Sequence, residues 1–161
     1  METLNEYVKE YKLQLKKGKI QKAYKGIMSF IFDLKTYLDR KYPDYHAGAL
    51  YSGYMDMTYF AFTPLYLKRQ KLKVAVVFLH EECKFELWLA AGNRKMQQEY
   101  INRLEGQDMG KYKLSEIKPG VDSIIAHSIV DVPDFDNVEQ LKNQIENEIM
   151  EFVKDINKIL A

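Results

Sequence analysis

The chain has 161 residues, 47% hydrophobic and 29% charged, with 24 Lys and Arg against 23 Asp and Glu; this composition suits one globular domain over residues 1–161 and excludes a disordered chain. The longest apolar run, Val74 to Leu79, is far shorter than the roughly 20 residues of a spanning helix, and Glu2 and Glu6 argue against a signal peptide. A cytoplasmic protein with no membrane partner is therefore expected, and the lone Cys83 excludes a disulfide framework or a multi-cysteine metal site.

Thr3-Leu4-Asn5-Glu6 has the spacing of a capping box, which opens a helix carrying Leu4, Tyr7, Val8, Tyr11 and Leu15 at helical intervals as far as Lys17-Gly18. A second stripe, Ile20, Ala23, Tyr24, Ile27, Ile31, Leu34 and Leu38, predicts a longer helix ending at Tyr42-Pro43, because a residue before proline disfavours helical backbone. With so short a turn between them, the two helices are expected to pack antiparallel.

The period changes to two over Ser52 to Phe62, which predicts a first strand. Thr63-Pro64 then reads as a cap with proline at the first helical position, giving one short turn of helix over Leu65 to Gln70. Leu72 to His80 and Cys83 to Ala91 form an antiparallel hairpin, because too few residues separate them for any other connection. Trp88 lies in this unbroken strand and is expected to be packed, so that Trp88→Ala costs about 3–5 kcal/mol. Asn93 caps a crossover helix with Met96, Tyr100, Ile101 and Leu104 on its inner face, and Gly106 ends it. Residues 107–121 are a long loop, Val121 to Val130 a fourth strand, and Val138 to Ile159 a long amphipathic helix.

The order is thus α+β, ααβββαβα: two N-terminal helices, a three-stranded antiparallel meander, a crossover helix, a fourth strand and a long C-terminal helix. A crossover helix would set the fourth strand parallel to the third, with helices covering the faces of the sheet.

The run Gly53-Tyr54-Met55-Asp56-Met57-Thr58-Tyr59-Phe60, with Phe85-Glu86-Leu87-Trp88-Leu89-Ala90-Ala91-Gly92-Asn93-Arg94, resembles an uncharacterised family of small bacterial single-domain proteins. That resemblance implies a stand-alone domain in a bacterial cytoplasm and carries no catalytic residue. The element order also resembles the restriction-endonuclease-like core. Such a fold-level likeness is an analogy for function. Its metal motif requires an acidic residue followed two positions later by lysine on one strand. Here Glu86 is followed by Trp88, and Lys84 and Glu86 share a face in reversed order, with Asp56 as a partner from another strand. A third likeness of order, to secretion-chaperone-like domains, lacks one strand and implies peptide binding.

No catalytic set and no cofactor site is expected. His80 and Cys83 span the hairpin turn, but two ligands do not make a zinc site, and acidic neighbours disfavour a Cys83 thiolate. His127 alternates with Ile125 and Ile129, as a half-buried strand residue does. Asn93-Arg94-Lys95 opens the crossover helix and is a candidate anion site. Twelve tyrosines are the compositional oddity, with Tyr42, Tyr45, Tyr51, Tyr54 and Tyr59 crowded together. A ring with a polar tip suits the rim of a pocket, and the candidate ligand-binding residues are Tyr54, Asp56, Tyr59, Glu86, Trp88 and Arg94, around a small cavity over the sheet.

Charge is segregated. Residues 1–41 carry ten Lys and Arg against five Asp and Glu, whereas residues 122–161 carry three against nine. With a formal charge of +1 overall, nucleic-acid binding is not expected. The expected function is non-enzymatic binding of a small molecule, peptide or protein partner; the alternative is a degenerate metal-dependent nuclease-like enzyme.

Overall fold

The computed structural model describes all residues, 1–161. Five helices and five strands follow as α1 (Leu4–Lys16), α2 (Lys19–Lys41), β1 (Tyr45–Ala47), β2 (Met57–Pro64), α3 (Leu65–Arg69), β3 (Leu72–Leu79), β4 (Lys84–Ala91), α4 (Arg94–Leu104), β5 (Ser123–Val130) and α5 (Val138–Leu160). The expected α+β order holds, with the short β1 added at the edge. The strands form one sheet in the order β1-β2-β3-β4-β5, and every neighbouring pair is antiparallel.

The expected parallel placement of the last strand is therefore wrong. Ser123, at the start of β5, pairs with Ala90, at the end of β4. Helix α4 carries the chain away and residues 105–122 bring it back to the same end of the sheet, so β5 runs down where β4 ran up. The returning segment is tied to β5 itself: Leu114 bridges Ile125 and the Ser115 N–H donates to the Ile124 carbonyl at 2.8 Å.

The capping box of α1 is present, with the Glu6 N–H donating to Thr3 Oγ1 and the Thr3 N–H to Glu6 Oε2. The expected antiparallel packing of α1 on α2 is not: no residue of α1 is buried, and Leu4 and Tyr11 are 75% and 61% exposed. Only Lys17 and Gly18 (φ +74°) separate the two helices.

Strand β2 begins five residues later than its alternation suggests, because residues 52–56 form a tight bend. Gly53 (φ +72°) and Met55 (φ +65°) are left-handed, and the Tyr54 N–H donates to the Asp56 carboxylate at 2.9 Å. A Cβ on Gly53 would lie 2.0 Å from the Met57 carbonyl oxygen, so only glycine fits. At the other end β2 runs through Thr63 to Pro64. Thr63 does not cap α3; its hydroxyl accepts the Val74 N–H from β3 instead.

One face of the sheet carries the core. Phe60 and Phe62 of β2, Val74, Val76 and Phe78 of β3, and Phe85, Leu87 and Leu89 of β4 bury against Phe30, Ile31, Leu34 and Leu38 of α2 and Leu141, Ile145, Ile149, Phe152 and Ile156 of α5. Ile101 and Leu104 of α4 join this cluster. The opposite face has no helix over it, contrary to the expected covering of both faces. Burial alternates along β2 from Met57 to Phe62 and along β4 from Lys84 to Leu89, and in these stretches the residues facing away from the core are half-exposed. No helix is long and apolar enough to cross a membrane.

Candidate functional site

The open face is built by register. Tyr59, Val77, Glu86 and Ser128 form one row across β2, β3, β4 and β5, and Ala61, Ala75, Trp88 and Ala126 form the next. Ala75 and Val77 belong to the central strand, where their small side chains are buried by their neighbours and make a floor. Tyr59 and Trp88 stand diagonally across that floor as walls. Between them a hollow of about 290 Å³ runs to the first turn of α4, with Lys73, Asn93, Arg94, Gln97 and Asp122 at that end.

The Trp88 wall and the α4 end are fixed by polar contacts. The Trp88 indole N–H donates to Glu86 Oε1 at 2.8 Å, while Glu86 Oε2 accepts from Lys84 at 3.1 Å and from the Ser128 hydroxyl at 3.2 Å. Burial works to raise the Glu86 pKa, but the donors from Trp88, Lys84 and Ser128 outweigh it and hold the carboxyl below its ordinary value. Arg94 donates to the carbonyls of Val121 and Lys118 and pairs with Asp122 at 3.1 Å. Gln97 is buried beneath it, donating to the Val121 and Ser123 carbonyls at 2.9 and 3.0 Å. These bonds seat residues 118–123 as the side of the hollow. Lys73 has no ion-pair partner; its ammonium lies 6.0 Å from the centre of the Tyr59 ring.

Of the residues expected from sequence, Tyr59, Trp88 and Arg94 line the hollow and Glu86 braces it through the indole. Tyr54 and Asp56 are not brought to it. Tyr54 points into solvent at 91% exposure, and the Asp56 carboxylate is taken up by N–H donors of its own bend, chiefly Tyr54 and then Met57, which hold its pKa down. Trp88 is packed only in part, because it faces away from the core. Lys73, Ala75, Gln97 and Asp122 went unseen in the sequence. Lys73 shares a period-two face with Ala75 and Val77, a signal that becomes readable once the facing of β3 is known.

The nuclease-like set does not assemble. Lys84 and Glu86 neutralise one another on the open face and Asp56 serves its bend; nowhere do three His, Cys, Asp or Glu side chains gather in a group able to hold a metal. At the hairpin turn Cys83 donates to the His80 carbonyl, while the His80 ring turns inward to Thr58 Oγ1 at 2.8 Å, so thiol and imidazole do not converge. At the candidate anion site, Asn93 spends its side chain on the Met96 N–H at 2.9 Å and Arg94 is engaged as described. His127 lies on the core face against the rings of Tyr112 and Phe152.

Two of the clustered tyrosines belong to a different assembly. Glu146 of α5 is buried, 5% exposed, at the junction with α2. It accepts from the hydroxyls of Tyr37 (2.9 Å) and Tyr42 and from Lys41 (2.7 Å), which joins the basic first part of the chain to the acidic last part. Burial, then the bond to Glu146, pushes the Tyr42 phenol up to about 12. Tyr45 stacks on Phe62 beside it.

No curated protein and no solved structure matches the chain. A family model does, that of a domain of unknown function, DUF7000, over residues 4–160. The match spans both the core and every residue of the open face, so the chain belongs to the DUF7000 family.

Proposed function

We propose that this is a non-enzymatic binding domain and that its ligand is a small molecule held on the open sheet face. One observation carries the reading: two aromatic side chains, Tyr59 and Trp88, stand over a floor of small apolar residues on a face that the chain's own helices leave uncovered. Apolar surface in a concave setting with a few fixed polar groups is the usual make-up of a small-molecule site, and the volume lies near the lower end of the range of about 300–1,000 Å³. The polar groups are pre-set by Glu86 on the indole and by the Arg94–Asp122 pair on the rim, so little ordering is left to oppose binding. No nucleophile sits beside a general base in the lining, which favours binding over turnover.

Trp88 is the only tryptophan, so its indole N–H gives a single, unambiguous resonance at the site. Small aromatic fragments titrated into ¹⁵N-labelled protein are expected to move that resonance saturably, and Tyr59→Ala is expected to weaken the best of them about tenfold, equivalent to about 1.4 kcal/mol. Fragments that bind elsewhere on the protein without moving the indole resonance would overturn the proposal.

A further inference from the structure

Resting on that reading of the hollow, we infer that its ligand is a planar aromatic molecule bearing one anionic group, with Lys73 as the residue that recognises the charge. The inference comes from the charge balance of the lining. Arg94 and Asp122 neutralise each other at 3.1 Å, and the guanidinium is further engaged by the Val121 and Lys118 carbonyls. Glu86 is neutralised by Lys84 beyond the Trp88 wall. Lys73 is left as the one charged side chain of the hollow with no counterion.

Position makes Lys73 the reader of one end of the ligand. It lies two residues before Ala75 on β3, hence on the same face and about 6.6 Å further along the strand. A flat ring lodged over Ala75, between the two walls, would meet Tyr59 and Trp88 at its edges, the favourable edge-to-face arrangement for aromatic groups. A carboxylate on a short tether from that ring then reaches the Lys73 ammonium at the open end of the hollow. Asn93 has already satisfied the first-turn N–H of Met96, so the recognition of charge falls to the lysine.

The test uses the intact chain, the Trp88 indole resonance and two probes of the same shape, 3-phenylpropionate and its neutral amide, 3-phenylpropionamide. Wild-type protein is expected to bind the carboxylate at least about tenfold more tightly than the amide, with the preference shrinking as salt is added. Lys73→Met is expected to erase the preference by weakening the carboxylate alone, and Lys73→Arg to retain most of it. Lys73 is exposed and without a hydrogen-bond partner, so an unchanged melting temperature would confirm that both variants remain folded. Equal binding of the two probes to the wild type, or a carboxylate preference that survives in Lys73→Met, would overturn the ligand class while leaving the hollow as a site. If neither probe moves the indole resonance, both the ligand class and the proposed function fail.

Discussion

Replacing Glu146 by glutamine tests how α5 is locked to α2. The wild-type carboxylate accepts three hydrogen bonds, from Tyr37, Tyr42 and Lys41. The two phenols are partly buried neutral donors to a charged acceptor, each worth about 1.5–3 kcal/mol, whereas Lys41, half in water, adds little. Glutamine retains one acceptor oxygen but turns an amide NH₂ onto groups that also donate. We expect a loss of about 2–3 kcal/mol, which at this chain length is a fall in Tm of about 4–12 °C. Urea denaturation should show a lower midpoint with an unchanged slope, because the packing around the cluster is kept. A triple variant, Tyr37→Phe, Tyr42→Phe and Glu146→Leu, should recover most of the loss, since the apolar replacement leaves no buried donor unsatisfied and the half-exposed Lys41 is met by water. Acidification supplies an independent sign. Burial opposes the Glu146 charge, but Lys41, Tyr42 and Tyr37 outweigh it and hold the carboxyl below its ordinary value of 4.5. Its contribution is therefore complete above 4.5 and is lost as the pH falls through the lower, folded value. The gap between wild type and Glu146→Gln should close in that acid range. A glutamine variant as stable as the wild type at neutral pH would refute the reasoning.

Gly53→Ala should destabilise the protein by more than about 2 kcal/mol, because a Cβ 2.0 Å from the Met57 carbonyl cannot be accommodated at φ +72°; a Tm within a degree of wild type would contradict this. Trp88→Ala should cost only about 1–2 kcal/mol, since part of the ring already meets water, while Phe60→Ala in the core should cost about 3–5 kcal/mol; equal losses in urea denaturation would show the open face to be covered. Removing residues 1–17 should leave the Tm unchanged to within about 2 °C, because no residue of α1 is buried. Burial lowers the pKa of both His80 and His127 from 6.5, so as the pH falls below 6.5 the unfolded chain takes up protons that the folded one refuses. Stability should decline over that range and level off below the folded values, and His127→Phe should flatten the decline measured by urea denaturation at successive pH values.

The local rules of the chain were legible in the sequence wherever a stretch was long enough to show a period. The stripe of Val138, Leu141, Ile145, Ile149, Phe152 and Ile156 declares α5, and the alternation from Leu72 to Ala91 declares the hairpin of β3 and β4, because amphipathic periods follow from backbone geometry alone. Thr3 and Glu6 likewise declare the start of α1. Of the candidate site residues Tyr54, Asp56, Tyr59, Glu86, Trp88 and Arg94, marked by their chemistry, Tyr59, Trp88 and Arg94 line the hollow and Glu86 braces it, whereas Tyr54 and Asp56 lie away from it. Sequence periodicity left three things undecided, each a matter of distant parts of the chain meeting. The direction of β5 depends on whether residues 105–122 return to the end of the sheet they left, and Leu114 against Ile125 settles that only in three dimensions. The three residues of β1 are too few to show a period, and they pair only because Phe62, Thr63 and Pro64 offer them an edge. Alternation along β4 separates Glu86 and Trp88 from Phe85, Leu87 and Leu89, yet it cannot say which set faces helices. With α2 and α5 packed on one side and α4 sharing their core, the tertiary structure leaves Tyr59, Lys73, Ala75, Val77 and Trp88 together on the side without a helix. Burial is decided by what lies opposite a residue, and that is a property of the whole fold.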